Sequence, residues 1–428
     1  MSEIITYKYP KGYNENEKIK VFVNGIRQTV FSTPSTDIAA FSVSGSCEID
    51  IEYDCYIEKA DIRPLSYGIC AELKENRAHI ELSGPVSILV DIPGQRQLHI
   101  HANEIDTPPE RNEKGLRYYE AGKVYDEGEI SLRSGEKIYI EGGAVVRGVI
   151  MTEDADNVEI SGNGIFDGSL SKKGQRMFIF RRCNNLTIRN IIMVRPQLWM
   201  LMLHECSNVS VSNIKQVGEV ISSDGVDIVG SDNVTVEGCF LRNNDDCIAI
   251  KAFPSGEGEA HNVRNIMVKN CVFLNDVSGN ATEIGHELRC KNVKDITFEN
   301  CDILSVHGYG AAFSIHNADN AVVENITYKN MRVEHYYDKL VDLRVIKSMW
   351  GKAHQRGHVR NVIFKDIYVK ALECNSGYSI SLIGGYDSEH MVKDVLFDNF
   401  RINDEIVENG DELDLFTKNA ANITFKMA

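Results

Sequence analysis

The stretch from Ser222 to Lys251 reads SSDGVDIVGSDNVTVEGCFLRNNDDCIAIK. It carries two acidic clusters, Asp224 with Asp227 and Asp245 with Asp246, on either side of the strand-like run NVTVEG. Asp224 and Asp245 are 21 residues apart. This spacing brings the two clusters together only if the chain returns to the same place after about that many residues. A stacked repeat has this property, and the flanking sequence predicts one.

The run NVTVEG recurs along the chain as Asn or Asp, then alternating apolar positions, then a polar turn. The repeated units begin at Asn157, Asn185, Asn208, Asn233, Asn265, Asp295, Asn325, Asn361, Asp394 and Asn422. Successive units lie 23 to 36 residues apart, without a helical or heptad period between them. A leucine-rich repeat would need a recurring leucine framework, which is absent. The pattern therefore predicts a parallel β-helix, in which stacked coils pair short strands around a shared core.

Residues 1–106 have a different pattern. Short alternating runs such as IKVFVNGI (19–26) and VSILVDI (86–92) are separated by turn residues. They predict a small antiparallel β-sandwich that packs on the opening coil of the helix and carries no catalytic residue. The segment 105–115 is rich in proline and charge and reads as a linker. The predicted domains are therefore the sandwich, 1–106, and the β-helix, 107–428.

The composition narrows the choice of partners and cofactors. A formal net charge of −16 disfavours nucleic acid and anionic membranes as partners. The chain shows neither the apolar core of a signal peptide nor a run of about 18 apolar residues that would span a membrane. The odd number of cysteines, 11, favours reduced thiols and a cytoplasmic location. Cys239, Cys271 and Cys301 recur at one place in successive units without a CxxC pair, so we expect buried stacking and no metal or cofactor.

The motifs in this order resemble those of the polygalacturonase-type glycoside hydrolases, glycoside hydrolase family 28. The run SGNGIFDGS (161–169) is similar to the G-x-G-x-I-D-G run of that family. The segments SSD (222–224), DDC (245–247) and GHE (285–287) match the family motifs N-T-D, D-D-C and G-H-G. The resemblance implies an all-β fold, a right-handed parallel β-helix, with glycoside hydrolase activity.

The resemblance also implies site residues. Asp245 would be the general acid, Asp224 and Asp246 the pair that activates water, and His286 a neighbour that tunes protonation or holds a substrate hydroxyl. Carboxylates on adjacent coils, stacked about 4.8 Å apart, can flank a water as an inverting mechanism requires. Mutual repulsion in such a cluster favours one group holding a proton near neutral pH. Taken singly, Asp-Gly and Asn-Asp pairs are ordinary turn residues, and three carboxylates can also bind Ca²⁺.

Two departures from the family bear on the substrate. Glu287 replaces the last glycine of G-H-G, and the place of the cationic R-I-K motif reads Ser314-Ile315-His316. Without that cationic pair, a neutral sugar is favoured over a galacturonide, because a buried carboxylate without a cation costs several kcal/mol. The predicted substrate-binding residues are Lys251, Glu287, Arg289, His316 and Trp199. Trp199 is either a sugar-stacking platform or a core residue.

The sequence thus predicts an inverting, exo-acting hydrolase of a short α-linked oligosaccharide, either a pectin-derived galacturonide or a neutral-sugar analogue. We expect the insertion at 253–261 and the long coils after residue 325 to close the cleft, which favours exo-action. Two alternatives remain at this point. A β-helix polysaccharide lyase would need a basic residue aimed at a uronate, and none aligns. A non-catalytic carbohydrate-binding β-helix would not need the Asp and His motifs. The oligomeric state is left open.

Overall fold

A computed structural model describes residues 2–370 and 379–427. Across these residues the chain is all-β, and its only helical segments are short 3₁₀ turns at Leu65–Tyr67, Gly168–Leu170 and Asp411–Leu413. No helix found there has the length and apolar character needed to cross a membrane. The predicted fold class, a parallel β-helix with small N-terminal sheets, is confirmed.

The N-terminal strands lie between residues 4 and 103. They are β1 (Ile4–Thr6), β2 (Lys20–Val23), β3 (Ile26–Gln28), β4 (Val30–Ser32), β5 (Thr36–Val43), β6 (Cys47–Glu52), β7 (Asp61–Arg63), β8 (Ala71–Lys74), β9 (Arg77–Leu82), β10 (Val86–Asp91) and β11 (Gln97–Asn103). One sheet has the order β1-β5-β11-β10-β7, with β4 on β5, and the other β3-β2-β6-β9-β8. Pairing is antiparallel except between β5 and β11, which are parallel.

The remaining strands belong to the β-helix. They are β12 (Leu116–Tyr119), β13 (Val124–Ile130), β14 (Lys137–Ile140), β15 (Val145–Glu153), β16 (Asp156–Ser161), β17 (Ile165–Asp167), β18 (Phe178–Arg181), β19 (Asn184–Arg189), β20 (Ile192–Val194), β21 (Leu201–His204), β22 (Ser207–Ser212), β23 (Lys215–Val217), β24 (Val226–Val229), β25 (Asp232–Glu237), β26 (Phe240–Asn243), β27 (Ile248–Ala252), β28 (Val263–Lys269), β29 (Val272–Asn275), β30 (Thr282–Leu288), β31 (Asn292–Glu299), β32 (Asp302–Val306), β33 (Ala311–Asn317), β34 (Val322–Val333), β35 (Lys339–Val345), β36 (His358–Val369), β37 (Ile380–Gly384), β38 (Val392–Ile402), β39 (Glu405–Ile406), β40 (Leu415–Lys418) and β41 (Ala420–Lys426).

Each coil contributes strands to three parallel stacks. The repeat stack runs β12-β14-β16-β19-β22-β25-β28-β31-β34-β36-β38-β41. The sandwich-facing stack runs β13-β15-β17-β20-β23-β26-β29-β32, and its last strand pairs with the end of β34. The cleft stack starts on the end of β15 and continues through β18-β21-β24-β27-β30-β33-β35-β37-β40. Among these coils only β39 pairs antiparallel, on β38, in the part of the chain that is described.

The Asn or Asp that opens each repeated unit has a specific backbone role. All of the unit-opening residues named above lie in the repeat stack in the left-handed region, with φ between 54° and 59°. Asn and Asp tolerate this conformation better than other non-glycine residues. Their side chains also bond from coil to coil, as when Asn265 Nδ2 donates to Asn233 Oδ1 at 2.9 Å. The repeat is therefore a bend that must recur once per coil.

The interior of the helix is built from identical side-chain types stacked in columns. Cys239, Cys271 and Cys301 are buried one above another, and the backbone N–H of Cys239 donates to the Sγ of Cys271 at 3.4 Å. An aromatic column continues upward, with the rings of Tyr328 and Phe364 stacked 5.0 Å apart. The predicted cysteine column is confirmed. Such columns follow from the repeat, because equivalent positions lie directly over one another.

The N-terminal sheets contact the opening coil, where Tyr7 and Phe31 share an apolar cluster with Val145 of β15, and they also extend along the side of the β-helix, which was not predicted. Leu89 of β10 lies in one apolar cluster with Phe240, Val272, Leu274 and Leu304. These residues belong to β26, β29 and β32, in the middle of the helix. The sandwich-facing strands are therefore buried on both faces, by the helix interior and by the sandwich. The division at residue 106 remains a prediction.

Candidate active site

A cleft of about 570 Å³ opens along the cleft stack. It is lined by Arg176, Leu198, Trp199, Ser222, Asp224, Asp245, Asp246, Lys251, Ser278, Gly279, Asn280, Gly285, His286, Glu287, Tyr309, Gly310, His316, Lys339, Asp342, Arg344 and Trp350. Every predicted catalytic residue is in this set. The stacking of the coils therefore brings together residues that are far apart in the sequence.

The three predicted catalytic aspartates lie where turns enter two adjacent strands of the cleft stack. Asp224 lies two residues before β24, and Asp245 and Asp246 lie three and two residues before β27. The two turns are bonded to each other, because the N–H of Gly225 donates to the carbonyl of Asp246 at 2.8 Å. Asp224 and Asp246 are buried, whereas Asp245 is half-buried and reaches the cleft. In the pairing of these strands Val226 lies opposite Ile248, so the spacing of 21 residues is one residue short of a full coil.

This cluster binds protons more strongly than isolated carboxylates do. Burial, together with the nearby Asp224, raises the pKa of Asp245 to about 7. Burial and the charges of Asp245 and Asp224 also raise the pKa of Asp246 well above its usual range. Oδ1 of Asp246 nevertheless accepts two hydrogen bonds from Asn280, from the backbone N–H at 2.7 Å and from Nδ2 at 2.8 Å. The cluster therefore holds at least one proton near neutral pH.

Lys251 is the cation nearest to this cluster. Its buried ammonium donates to Asp224 Oδ2 at 2.7 Å and to Asp227 Oδ1 at 2.6 Å. The same Nζ lies 3.8 Å from the centre of the Trp199 ring. Asp227 is a buried residue of β24 and not a turn residue. Lys251, on the next strand of the cleft stack, thus anchors Asp224. Two of the three N–H donors of the Lys251 ammonium are already used.

A second polar network lies on the next coils of the cleft stack. His316 donates through Nδ1 to Glu283 at 2.9 Å, and its Nε2 lies 3.1 Å from a carboxylate oxygen of Asp342. Burial alone would lower the pKa of His316, but these two carboxylates outweigh it and raise the pKa to about 10. Burial would raise the pKa of Glu283, and His316 instead lowers it to about 2. His316 is therefore an imidazolium held between two carboxylates.

His286 and Asn280 connect the two networks. The His286 ring stacks on that of His316, with centroids 4.9 Å apart and planes inclined by 20°. Burial lowers the pKa of His286, so this ring is neutral beside a charged one. Asn280 donates both to Asp246 and, at 3.1 Å, to Glu283. A substitution of His316 should therefore also affect the aspartate cluster, through Asn280 and His286.

The close approach of these coils depends on glycine. Gly279 lies in the left-handed region with φ 75°, and a Cβ placed there would sit 2.4 Å from Oδ1 of Asp245. Gly285 has φ 143°, and a Cβ there would sit 2.2 Å from the carbonyl oxygen of His316. Any larger residue at either position would displace a functional group.

Among residues 2–370 and 379–427, Glu283, His286 and His316 form the group with the geometry to hold a metal ion. One ligand atom from each lies within 4.8 Å of the others. A metal would require neutral imidazoles with a free ring nitrogen. Both ring nitrogens of His316 instead face carboxylates, which suits a protonated ring. The donor set fits an ionic network better than it fits a metal.

The predicted substrate-binding residues separate into two groups. Lys251, Glu287, His316 and Trp199 all line the cleft. Arg289 is not among the residues lining the cleft in the described chain, and its guanidinium lies 5.6 Å from the Phe253 ring centre.

The insertion at 253–261 does not close the cleft as expected. None of its residues lines the cleft within the described ranges. Ser255 instead bonds to Glu205, its N–H at 3.0 Å from Oε1. Residues 259–261 line a different groove of about 930 Å³. The late coils, in contrast, bring Trp350 to the cleft, as predicted for the chain after residue 325.

Sequence reasoning assigned no role to Arg176, Glu283, Lys339, Asp342 and Arg344, all of which lie in or beside the cleft. A usable signal was present for part of this set. Asp227, Glu283 and Asp342 occupy one column of the cleft stack, each inside an otherwise apolar strand. Aligning charged residues inside apolar strands, coil by coil, would have found them.

Comparison with known proteins places the chain in a family. Curated relatives include a probable polygalacturonase of Arabidopsis thaliana, 28% identical over 30% of this chain and 35% of that protein. A putative galacturan 1,4-alpha-galacturonidase A of Aspergillus niger is 22% identical over 50% of this chain and 47% of that one. The matched region thus spans about a third to a half of the length of these two relatives.

Solved structures agree on the fold. Dex49A from Penicillium minioluteum superposes with a TM-score of 0.65 at 14% identity, covering 99% of this chain and 96% of that one. A hyperthermoactive exopolygalacturonase from Thermotoga maritima gives 0.54 at 16% identity, covering 73% and 84%. At these identities the likeness shows the fold alone. The family model for Glycosyl hydrolases family 28 matches residues 121–368, which is more than half of the sequence. The chain therefore belongs to glycosyl hydrolase family 28.

Proposed function

We propose that this protein is an inverting, exo-acting glycoside hydrolase that cleaves a short, α-linked, pectin-derived galacturonide. The observation that carries the proposal is the cluster of Asp224, Asp245 and Asp246 in one cleft. Burial and mutual charge keep a proton there near neutral pH, with the pKa of Asp245 raised to about 7. A buried, proton-holding carboxyl group next to an ionised one is the arrangement that glycoside hydrolysis requires.

Asp245 is the proton donor in this scheme. It is the most exposed of the three aspartates, so a glycosidic oxygen in the cleft can approach it. As the bond between the anomeric carbon and the leaving oxygen breaks, the Asp245 proton passes to that oxygen. The raised pKa keeps Asp245 protonated at the start of the step, which makes it an effective acid.

Asp224 is the base that removes a proton from the attacking water. Its Oδ2 accepts a charge-assisted hydrogen bond of 2.7 Å from the Lys251 ammonium, which fixes its position in the cleft. Asp246, held by Asn280, completes the pair that orients the water, as the family resemblance implies. The water oxygen bonds to the anomeric carbon on the face opposite the leaving group, so the configuration inverts.

Exo-action is supported by the side chains at one end of the cleft. Trp350, which is 54% exposed, enters the cleft from the segment between β35 and β36. Tyr309, 82% exposed, and Lys339 line the same cleft, and Lys339 Nζ donates to the Tyr309 carbonyl at 2.6 Å. These groups would limit how far a polymer can extend beyond the reacting bond.

The charges in the cleft support a uronide over a neutral sugar. The sequence favoured a neutral sugar because the cationic motif of the family is missing at Ser314 and His316. Three other cations, Arg176, Lys339 and Arg344, also line the cleft, and Arg176 among them has no carboxylate partner in the described ranges. The names of the relatives, which include a galacturonidase and exopolygalacturonases, point the same way. The charge-assisted bonds that a uronate carboxylate needs are thus available.

A cytoplasmic location is part of the proposal and rests on the sequence. The 11 cysteines are an odd number, which suits a reducing compartment. The ten cysteines in the described ranges are all free. A short oligosaccharide is the form of substrate that fits such a location.

The experiment that tests the proposal follows the products of trigalacturonate hydrolysis by NMR. We expect galacturonate and digalacturonate as the first products, with the new reducing end in the β-configuration. An α-configured product would contradict inversion, and early release of unequal internal fragments from longer chains would contradict exo-action. An unsaturated product that absorbs in the ultraviolet would show a lyase instead. No turnover of any α-linked glycoside would favour a binding protein.

A further inference from the structure

We propose that Arg176 is the residue that binds the substrate carboxylate and so selects a uronic acid over the neutral sugar. The inference rests on the proposed function and deepens it by naming the specificity-determining contact. Arg176 lies just before β18, two coils below Asp224, at one end of the cleft. The motifs of the sequence do not include it.

The other cations of the cleft are already engaged by carboxylates. Lys251 is bonded to Asp224 and Asp227. Arg344 makes two hydrogen bonds to Asp342, and Lys339 pairs with Asp338. The imidazolium of His316 lies between Glu283 and Asp342. Each of these positive charges is compensated within the protein.

Arg176 differs from them in having no carboxylate partner among the described residues. Its Nε is buried without a hydrogen-bond partner in that part of the chain. The charges of Asp224, Asp227 and Glu287 act to raise the pKa of Arg176, yet none of these residues forms an ion pair with it in the described ranges. The terminal N–H groups of Arg176 likewise have no protein acceptor in the described ranges, so they can donate charge-assisted hydrogen bonds to a carboxylate in the cleft.

The position of Arg176 is fixed by an aromatic ring. Its guanidinium carbon lies 4.0 Å from the centre of the Trp199 ring, so the group packs against the indole. Such packing holds the guanidinium in place while its N–H groups remain available for a carboxylate. The same indole lies 3.8 Å from Lys251 Nζ, which holds Asp224. Arg176 and Lys251 thus contact the same indole ring, and Lys251 in turn holds Asp224, the proposed base.

The test compares Arg176→Gln and Arg176→Lys with the parent enzyme on digalacturonate and on its methyl ester, which has the same shape but no carboxylate charge. We expect Arg176→Gln to raise KM for the acid about 10- to 100-fold, as for a lost charged hydrogen bond, with little change in kcat. Arg176→Gln should affect the uncharged ester much less than the acid, and Arg176→Lys should restore part of the preference for the acid. Arg182→Gln is the matched control, because Arg182 is exposed and bonded to Asp154.

Binding provides a readout that does not depend on turnover. Calorimetric titration of digalacturonate into Asp245→Asn, with and without Arg176→Gln, measures the carboxylate contact directly. Loss of acid binding in the double variant, with equal melting temperatures, supports the inference even if the parent enzyme proves inactive. If the acid is hydrolysed but its preference over the ester survives in Arg176→Gln, the inference is overturned and the proposed function stands. Absence of any digalacturonate binding would overturn it as well.

Discussion

Replacing Asp245 with Asn should make the protein more stable above pH 7 while removing its activity. Asp245 is half-buried beside Asp224 and Asp246, and its pKa is raised to about 7 from an ordinary value near 3.8. Ionising it in the folded state therefore costs free energy. Asn has the same shape, carries no charge, and its Oδ1 can still accept the 3.0 Å hydrogen bond from the Asp246 N–H.

The size and pH dependence of the effect follow from linkage. Between about pH 4 and pH 7 the folded protein binds this proton more tightly than the unfolded chain does. The stability contributed by the proton is thus fully present below about pH 4 and is lost as the pH rises through 7. A shift of about three pKa units corresponds to about 4 kcal/mol, and relaxation of the coupled cluster reduces it, so we expect about 1–4 kcal/mol at pH 8.

The assay is the melting temperature of the parent protein and Asp245→Asn between pH 4 and pH 9. We expect the variant to melt about 1–4 °C higher at pH 8 and the two curves to converge toward pH 4. Asp54→Asn is the control, because Asp54 is exposed and its substitution should leave the pH dependence unchanged. A variant that is less stable than the parent at pH 8, or a difference that does not vary with pH, would refute the reasoning.

Three further predictions concern other groups. Lys251→Met should destabilise the protein by about 3–5 kcal/mol in denaturant unfolding, because it leaves Asp224 and Asp227 buried without their cation; unchanged stability would contradict the ion-pair assignment. The kcat/KM should fall as the pH rises above about 7, where Asp245 of the free enzyme loses its proton, and a flat profile to pH 9 would contradict its role as the acid. Phe364→Ala should cost about 3–5 kcal/mol, because the ring is fully buried between Tyr328 and Phe397; a loss below 1 kcal/mol would show that the aromatic column does not support the fold.

The sequence predicted the parts of this structure that depend on local repetition. The left-handed bend at each unit-opening Asn or Asp is a backbone requirement that few residues meet, so it is visible in every coil. The same regularity set the spacing between Asp224 and Asp245. A short local pattern that recurs once per coil was sufficient for these predictions.

The packing of the sandwich along the helix was not predicted, although the strands carry a sign of it. Runs such as CFLRN (239–243) and CVFLN (271–275) have apolar residues on both faces, unlike the alternating NVTVE (233–237) of the repeat stack. Strands covered on both faces lose the alternation. The sequence of such a strand does not show which other part of the protein buries its outer face.

The ionic networks of the cleft were harder to predict for another reason. Asp342 and Arg344 are two residues apart on β35 and bonded to each other. Arg176 comes from a coil more than a hundred residues earlier, and no local pattern shows that it lines the same cleft as β35. The charge state of His316 likewise depends on two carboxylates from neighbouring coils.

The most direct test of the central claim is the dependence of Asp245→Asn on the leaving group. We would measure kcat/KM of the parent enzyme, Asp245→Asn and Asp224→Asn on digalacturonate and on a 2,4-dinitrophenyl galacturonide, whose leaving group needs no proton. If Asp245 is the acid, its variant loses about 10²–10⁴-fold on digalacturonate but far less on the activated substrate, whereas Asp224→Asn loses activity on both. Equal losses of Asp245→Asn on the two substrates would contradict the assignment of Asp245 as the proton donor.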